Sequence, residues 1–341
     1  METKILESLV SIDQNKKTVL CSIVHQSGSI PRKDFPLMLV FENGDTIGTI
    51  GGGNLEYNVI NLASSDNNNA PRIINHKMTG KDAYGDSGIC GGEVIILLEP
   101  YLDQHIRHFK YVQNLLETSP AWIKTTVIDP LKKPKVSWDV VPAREENNGK
   151  RNLATPLSNS YYCTDKIIVN RYISQNSTLH IFGAGHVGHA LAELAHFFNF
   201  TVNVYDDRNE LLTIARYPNA SERVVNPISD TLKNLKLRSS DSVIVTTRNH
   251  SQDLEIMRCL LKKTHGYVGL VSSRRKWILI KKALLNEGFG EDAIKSVYAP
   301  TGLDIGADTV PEIALSIISE ILYYNKKKQQ SIISLSRKHT R

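Results

Sequence analysis

The run LHIFGAGHVGHALAELAHFFNFTVNVYDDR, from Leu179 to Arg208, limits the possible folds of this chain more than any other stretch. Leu179 to Phe182 is a short apolar run, and Gly183, Gly185 and Gly188 follow it as G-x-G-x-x-G. Val187, Leu191, Leu194, Ala195 and Phe198 then recur at helical spacing before Thr201 to Tyr205 alternates as a strand. Each glycine has a physical reason: the first makes a tight turn, the second lets a phosphate approach the backbone, and the third allows close helix-to-strand packing. Free N–H groups at the helix start attract an anion. Asp206 falls about twenty residues after the glycines, where a carboxylate holds the ribose in dinucleotide folds. Strand, turn, helix, strand and acid in this order predict a Rossmann-type parallel sheet, which by itself does not fix a ligand.

The rest of the C-terminal half extends that sheet. Arg223 to Val225, Asp241 to Thr246 and Tyr267 to Val271 read as further strands, and Ile313, Ile317 and Ile321 line a last helix behind a Thr309/Glu312 capping box. The strand endings bring Thr246 to Asp253 and Ser272-Ser273-Arg274-Arg275-Lys276 to the carboxyl edge, where open α/β sheets bind ligands. There His250 is a proton-transfer group, an anion donor or a plain polar residue near a helix cap. Asp253 suits a first helical turn, and Arg274 leads three cations that suit a phosphate or carboxylate. His186 and His189 stand three apart without a carboxylate or cysteine at matching spacing, so no structural metal site is expected. His186 is placed to face an anion.

The N-terminal half reads as a second α/β domain with a mixed sheet. Ile5, Leu6, Leu9 and Ile12 have helical spacing, Thr18 to Val24 is a strand, and Leu37 to Phe41 and Asp45 to Ile50 form a hairpin through Glu42-Asn43-Gly44. Gly28-Ser29-Ile30-Pro31-Arg32 is either a plain connection or a turn presenting Arg32 as an anion fork. Gly51, Gly52 and Gly53 precede a helix and offer either an anion cradle or only a sharp strand-to-helix turn. Arg72 to Met78 is a strand, and Cys90-Gly91-Gly92 leads into the apolar strand Glu93 to Glu99. Cys90 is either a small buried hydrophobe or a reactive thiol. After a helix, Tyr101 to Thr118, and a strand, Ala121 to Ile128, periodicity is lost among Pro130, Pro134, Pro142, Pro156 and the polar run Glu145 to Asn152, before one more strand, Lys166 to Ile173. The organisation expected is an N-terminal domain over 1–130, an irregular excursion or linker over 131–177, and a Rossmann-type domain over 178–341 with a basic tail.

A length of 341 residues, 41% hydrophobic and 22% charged, suits two globular domains. The net charge of +6 is partly gathered in Lys326 to Lys328, Arg337, Lys338 and Arg341, read as a solvated tail and not as a nucleic-acid or membrane contact. Cys21, Cys90, Cys163 and Cys259 form no C-x-x-C pair, which fits neither a zinc ribbon nor a disulfide framework. No stretch suits a signal peptide or a membrane span, so a cytoplasmic protein is expected.

The motifs taken together resemble the XdhC/CoxI family of accessory proteins for molybdenum hydroxylases such as xanthine dehydrogenase. The resemblance rests on Gly28 to Arg32, Gly48 to Glu56 (GTIGGGNLE), Cys90 to Gly92, Phe182 to Gly188 (FGAGHVG), Asp206 to Arg208, Thr247 to Asp253 (TRNHSQD), Tyr267 to Lys276 (YVGLVSSRRK) and Gly302 to Ala307 (GLDIGA). This chain departs from the family pattern after Arg32, where Lys33-Asp34-Phe35-Pro36 replaces a small-residue turn. The resemblance implies a carrier, not a turnover enzyme: a chaperone that binds molybdenum cofactor, shields it during sulfuration and delivers it to the apoenzyme. It further implies a homodimer and a cysteine desulfurase as a partner. The candidate cofactor contacts are Arg32, Gly51, Gly52, Gly53, Cys90, Gly183, Gly185, His186, Gly188, Asp206, Arg274 and Asp304. Cys90 is the residue able to offer a soft sulfur to molybdenum. The competing reading is an NAD(P)-dependent oxidoreductase, with Asp206 on the ribose, favouring NAD, and His250 as acid or base. No Tyr-Lys pair or similar catalytic constellation follows the glycine fingerprint.

Overall fold

Ten residues, Thr18–Ser27, form strand β1, and its first seven are buried whichever way they point, because it runs through the middle of a sheet covered on both faces. The computed structural model describes residues 3–12, 17–28, 34–65, 70–77, 92–143 and 158–325. The fold is α/β in two units, the first ending at Gln175 and the second running from Asn176. The basic residues from Lys326 onward lie outside the described residues.

In the first unit, α1 (Thr3–Val10) precedes β1, and β2 (Leu37–Phe41), β3 (Thr46–Gly48), α2 (Gly53–Ser64), β4 (Arg72–Lys77), β5 (Glu93–Pro100) and α3 (Asp103–Leu116) follow. The five strands pair in the order β3-β2-β1-β5-β4, every pair antiparallel where a mixed sheet was expected. Successive side chains leave opposite faces of β1. Cys21 and Ile23 meet Leu55, Val59 and Ala63 of α2 in one core, while Leu20 joins Leu37, Leu39 and Phe109 in another.

The second core is closed by a sheet in the region whose sequence reads as an irregular excursion. β6 (Ala121–Ile128), β7 (Lys135–Pro142), β8 (Asn159–Cys163) and β9 (Lys166–Ile173) pair antiparallel in the order β7-β6-β9-β8. β7 hides its signal because only Trp138 is fully buried in it, and β8 because it is a short, exposed edge strand.

Arg171 joins the two sheets. It shares a face of β9 with the buried Ile167, Val169 and Ile173 and is itself 2% exposed. Its Nε donates to the Phe35 carbonyl (2.9 Å), Nη1 to the Thr125 hydroxyl (2.9 Å) and Nη2 to the Ile23 carbonyl (2.8 Å). Ile23 borders a β-bulge: it faces Ile96, while His25 faces Ile95, leaving Val24 as the extra residue. Phe35 is buried with φ 49°, so the guanidinium caps a backbone held in the left-handed region.

The second unit alternates strand and helix: β10 (Thr178–Phe182), α4 (His186–Phe197), β11 (Thr201–Asp206), β12 (Glu222–Val225), α5 (Ile228–Asn234), β13 (Ser242–Val245), α6 (His250–Leu260), β14 (Val268–Leu270), α7 (Arg274–Asn286), α8 (Glu291–Lys295), β15 (Val297–Tyr298) and α9 (Val310–Asn325). All its strands are parallel, in the order β12-β11-β10-β13-β14-β15, so the chain reverses direction across the sheet between β10 and β13. Ala314, Ile317 and Ile321 of α9 pack on Leu191, Ala192 and Ala195 of α4. Glu312 accepts from the N–H groups of Thr309 (2.9 Å) and Asp308 (3.0 Å) at the start of α9. At the amino edge, burial pushes the Asp241 carboxyl up, but His180 and Arg238 outweigh it and hold the group at about 2.

Replacing Arg171 leaves three acceptors in the first unit without their donor. Arg171→Met is expected to lower stability by about 3 kcal/mol, and Arg171→Lys to recover little of it, because one ammonium cannot span three divergent oxygens. Denaturant unfolding followed by tryptophan fluorescence tests this; an Arg171→Met midpoint matching wild type would refute it.

Candidate functional site

In the first unit, strand direction gathers the sequence motifs at one sheet edge. Ser27 at the end of β1 lies opposite Glu93 at the start of β5, which also faces Lys77 at the end of β4. On the other side, Leu37 at the start of β2 pairs with Ser22, and Gly48 at the end of β3 pairs with Met38. The segments carrying Gly28 to Arg32, Gly48 to Glu56 and Cys90 to Gly92 therefore all leave or enter the sheet on this edge. Arg32 and Cys90 themselves lie outside the described residues.

Gly51, Gly52 and Gly53 have φ of 134°, 77° and 65°, so backbone conformation dictates glycine here, while the space around each is open. The turn is not an empty anion cradle. Glu56, from the first turn of α2, folds back so that one oxygen accepts from the N–H groups of Ile50 (2.8 Å) and Gly52 (3.1 Å) and from the Thr49 hydroxyl (2.5 Å). Burial raises the Glu56 carboxyl, but the Thr49 hydroxyl and the N–H groups of Gly52, Ile50 and Gly51 together hold it below the usual range.

The bulge at Val24 adds a residue that sequence reasoning missed. Without it, alternation would send His25 to the face of Cys21 and Ile23; with it, His25 turns to the other face. There its Nδ1 lies 3.0 Å from the Ser160 hydroxyl, and its ring stacks on Tyr162 with centroids 5.1 Å apart. Burial lowers the His25 pKa, against the opposing pull of Glu93. The Ser160/Tyr162 alternation was the available signal, but the segment around it lacked apolar periodicity.

The second unit's parallel strands bring the loops after β10, β11, β13, β14 and β15 to their carboxyl edge. A Cβ on Gly183 would strike the Thr246 carbonyl, and one on Gly188 would strike the Gly183 carbonyl. Both glycines thus serve close packing at the point where strand order reverses. Gly185 differs: a Cβ there would meet nothing within 4 Å, and as the cap residue of α4 it supplies no side-chain hydrogen bond. His186 beside it is exposed.

Asp206 does not stand open to a ribose. It is 4% exposed, and its oxygens accept from the Ala184 N–H (2.6 Å), the Arg208 N–H (3.0 Å), Arg208 Nε (2.8 Å) and Arg208 Nη2 (2.8 Å). Four donors fill the roughly four acceptor positions of a carboxylate. Burial pushes its pKa up, but Arg208 and Ala184 bring it below the usual range.

Beyond β13, Asp253 is wholly buried and accepts from the Thr247 hydroxyl (2.5 Å), while Lys276 forms an ion pair with its other oxygen. Lys276 is therefore committed to structure, whereas Arg274 at the head of α7 is exposed, as are His250 and Asp304. The loop bearing Asp304 is fixed from behind: Glu320 accepts from the Gly302 N–H (2.7 Å) and bonds the Tyr267 hydroxyl. Among the described residues no group of three or more His, Cys, Asp or Glu side chains is placed to hold a metal ion, and no helix is long and apolar enough to cross a membrane.

Substitution separates the roles of these glycines. Gly183→Ala and Gly188→Ala should each destabilise the second unit by about 1–3 kcal/mol, and Gly185→Ala by less than about 0.5 kcal/mol, measured by denaturant unfolding. Equal losses at all three would contradict the division of roles. Glu56→Ala should cost about 1–2 kcal/mol at neutral pH. Because the Glu56 pKa is lowered on folding, its stabilisation is present above the ordinary value of 4.5 and is lost as pH falls through the folded value. The variant should therefore have a shallower acid limb in its stability profile; identical limbs would remove Glu56 from the turn.

Comparison with known proteins matches residues 179–321 to the XdhC Rossmann domain and residues 11–67 to the XdhC and CoxI family. A Bacillus subtilis protein, named as a probable xanthine dehydrogenase subunit, is 26% identical over 326 residues, covering 93% of this chain and 96% of the relative. An uncharacterized Escherichia coli protein, YqeB, is 26% identical over 314 residues; the match covers 91% of this chain and 44% of that longer protein. A crystal structure from Bacillus halodurans, described as a xanthine dehydrogenase, shares the fold with a TM-score of 0.76 at 24% identity, over 97% of this chain and 98% of that one.

Proposed function

The chain belongs to the XdhC and CoxI family, and from that premise we propose that it is an accessory protein to a xanthine dehydrogenase-type molybdenum hydroxylase, carrying molybdenum cofactor to the apoenzyme. The observation that carries this reading is the convergence of the first unit's motif segments on one edge of its five-stranded sheet. A cargo with a pterin ring, a phosphate and a dithiolene-bound metal calls for several recognition elements in one place. Arg32 suits the phosphate as a guanidinium fork, and Cys90 suits the metal as a soft sulfur. Both belong to segments that leave from or enter at this edge. The name of the Bacillus subtilis relative agrees with work alongside xanthine dehydrogenase. Shielding of the cargo during sulfuration, a cysteine desulfurase as sulfur donor and pairing of two copies of the chain are further parts of the proposal.

The dehydrogenase reading loses support at Asp206. A dinucleotide ribose needs a carboxylate with acceptor capacity to spare, and here Ala184 and Arg208 have taken it. His250 is exposed at the head of α6.

Anaerobic incubation with isolated molybdenum cofactor, followed by gel filtration, tests the proposal, with NAD(H) and NADP(H) in parallel. Near-stoichiometric cofactor retention is expected, weakened about tenfold in Arg32→Ala or Cys90→Ala, with no nicotinamide retained. Stoichiometric nicotinamide binding without cofactor binding would overturn it.

A further inference from the structure

We propose that His25 and Tyr162 form a stacking platform for a fused, planar heteroaromatic ring, the pterin end of the cargo; this inference rests on the carrier reading above. The two rings are stacked, with centroids 5.1 Å apart and planes inclined by 28°. They come from different sheets, His25 from β1 and Tyr162 from β8, so neither sheet alone builds the pair.

Three observations separate this pair from ordinary packing. Tyr162 is 42% exposed, whereas a tyrosine placed for core packing would be covered on both faces. His25 reaches it only because the β1 ladder is broken by a bulge, and bulges recur where a side chain must be re-aimed. The broken ladder is held from behind by Arg171, which donates to the Ile23 carbonyl, so the interruption is a built feature. In addition, Ser160 lies 3.0 Å from His25 Nδ1 and fixes the tilt of the imidazole. Burial lowers the His25 pKa, against the opposing pull of Glu93, which favours the neutral imidazole.

The position of the pair supports a ligand role. His25 lies two residues before the end of β1, next to the edge where Glu93, Lys77, Leu37 and Gly48 also stand at strand ends. An aromatic ring laid on the outer face of Tyr162 would complete a three-ring stack. Such platforms accept a π-face whatever its substituents, so contacts at the ring's polar edge would provide discrimination. Tyr161, its neighbour in β8, points to the opposite face and is 63% exposed, which makes it an internal control.

The test uses the full chain with two probes, a fluorescent oxidised pterin phosphate and intact molybdenum cofactor under anaerobic conditions. Wild type should quench pterin fluorescence on binding. Tyr162→Ala should lose the quench and weaken both probes about tenfold, while Tyr162→Phe and Tyr161→Ala stay within about twofold of wild type. Unfolding midpoints of all variants check that β8 is intact. Tyr162→Ala binding and quenching as wild type does would overturn the platform and leave the carrier reading standing. Equal losses in Tyr161→Ala and Tyr162→Ala would also overturn it, since they report a disturbed strand. Failure of wild type to bind either probe would instead sink the carrier reading, and the platform with it.

Discussion

A single guanidinium holds the first unit to one arrangement. Arg171 is buried, and burial pulls its pKa down to about 9 while Glu99 pulls it back up, so it remains charged at neutral pH. Its charge is spread over three oxygens and the face of Trp138, 5.8 Å away. Trp138 in turn donates to Glu99 (3.0 Å), which also faces His105 Nε2 at 3.3 Å. The tautomer of His105 follows from its other nitrogen: Nδ1 accepts from the Leu102 N–H, so the proton sits on Nε2, toward Glu99. The chain of contacts from Glu99 through Trp138 to Arg171 crosses the interface between the two sheets. Apolar side chains there would tolerate a slipped register; a fork that must meet Ile23, Phe35 and Thr125 at once does not.

The glycine turns of the two units share a device. Each has a carboxylate from its own chain bonded to its backbone N–H groups, Glu56 in the first unit and Asp206 in the second. A glycine turn with free N–H groups is adaptable, and it loses conformational freedom when a ligand orders it. These turns are already ordered by the carboxylates of Glu56 and Asp206. Of the three fingerprint glycines in the second unit, only Gly185 keeps open space at the start of α4, while Gly183 and Gly188 serve close packing.

Four strands of the parallel sheet, β10, β11, β13 and β14, were readable in the sequence because they are largely buried and apolar and set off by glycine or polar loops. β12 is readable from its apolar Val224 and Val225 although none of its residues is fully buried, and the two-residue β15 left no readable pattern. β1, β2, β5, β6 and β9 were readable for similar reasons, whereas β3 was readable from its hairpin turn and β4 from its apolar Ile73 and Ile74 although neither strand is fully buried. The second sheet of the first unit was hidden in part: Val136, Trp138 and Val140 do alternate in β7, but they sit between prolines and charged residues that look like loop. Arg171 falls in phase with Ile167, Val169 and Ile173, a clue that pattern reading sets aside by treating every arginine as surface. Asp206 and Glu56 mark the limit of motif reading. Their positions relative to the glycines are visible in the sequence, but whether a carboxylate faces a ligand or its own backbone is decided by a side-chain rotation that spacing does not encode. His25 escaped pattern reading because its direction depends on a bulge that leaves no mark in the sequence, and the Ser160/Tyr162 alternation facing it lies in a segment without apolar periodicity.

The return of β9 to β1 also imposes an order in time. Arg171 lies 148 residues after Ile23, so during synthesis the bulge that aims His25 waits roughly 7–30 s for its anchor, at about 5–20 residues per second. Until β9 emerges, Phe35 and Ile23 lack the donor that fixes them, and β8 has no partner strand. The edge that gathers the motifs is thus among the last parts of its unit to take shape, although most of its residues are made first. A nascent chain would lack the finished edge until the whole unit had left the ribosome.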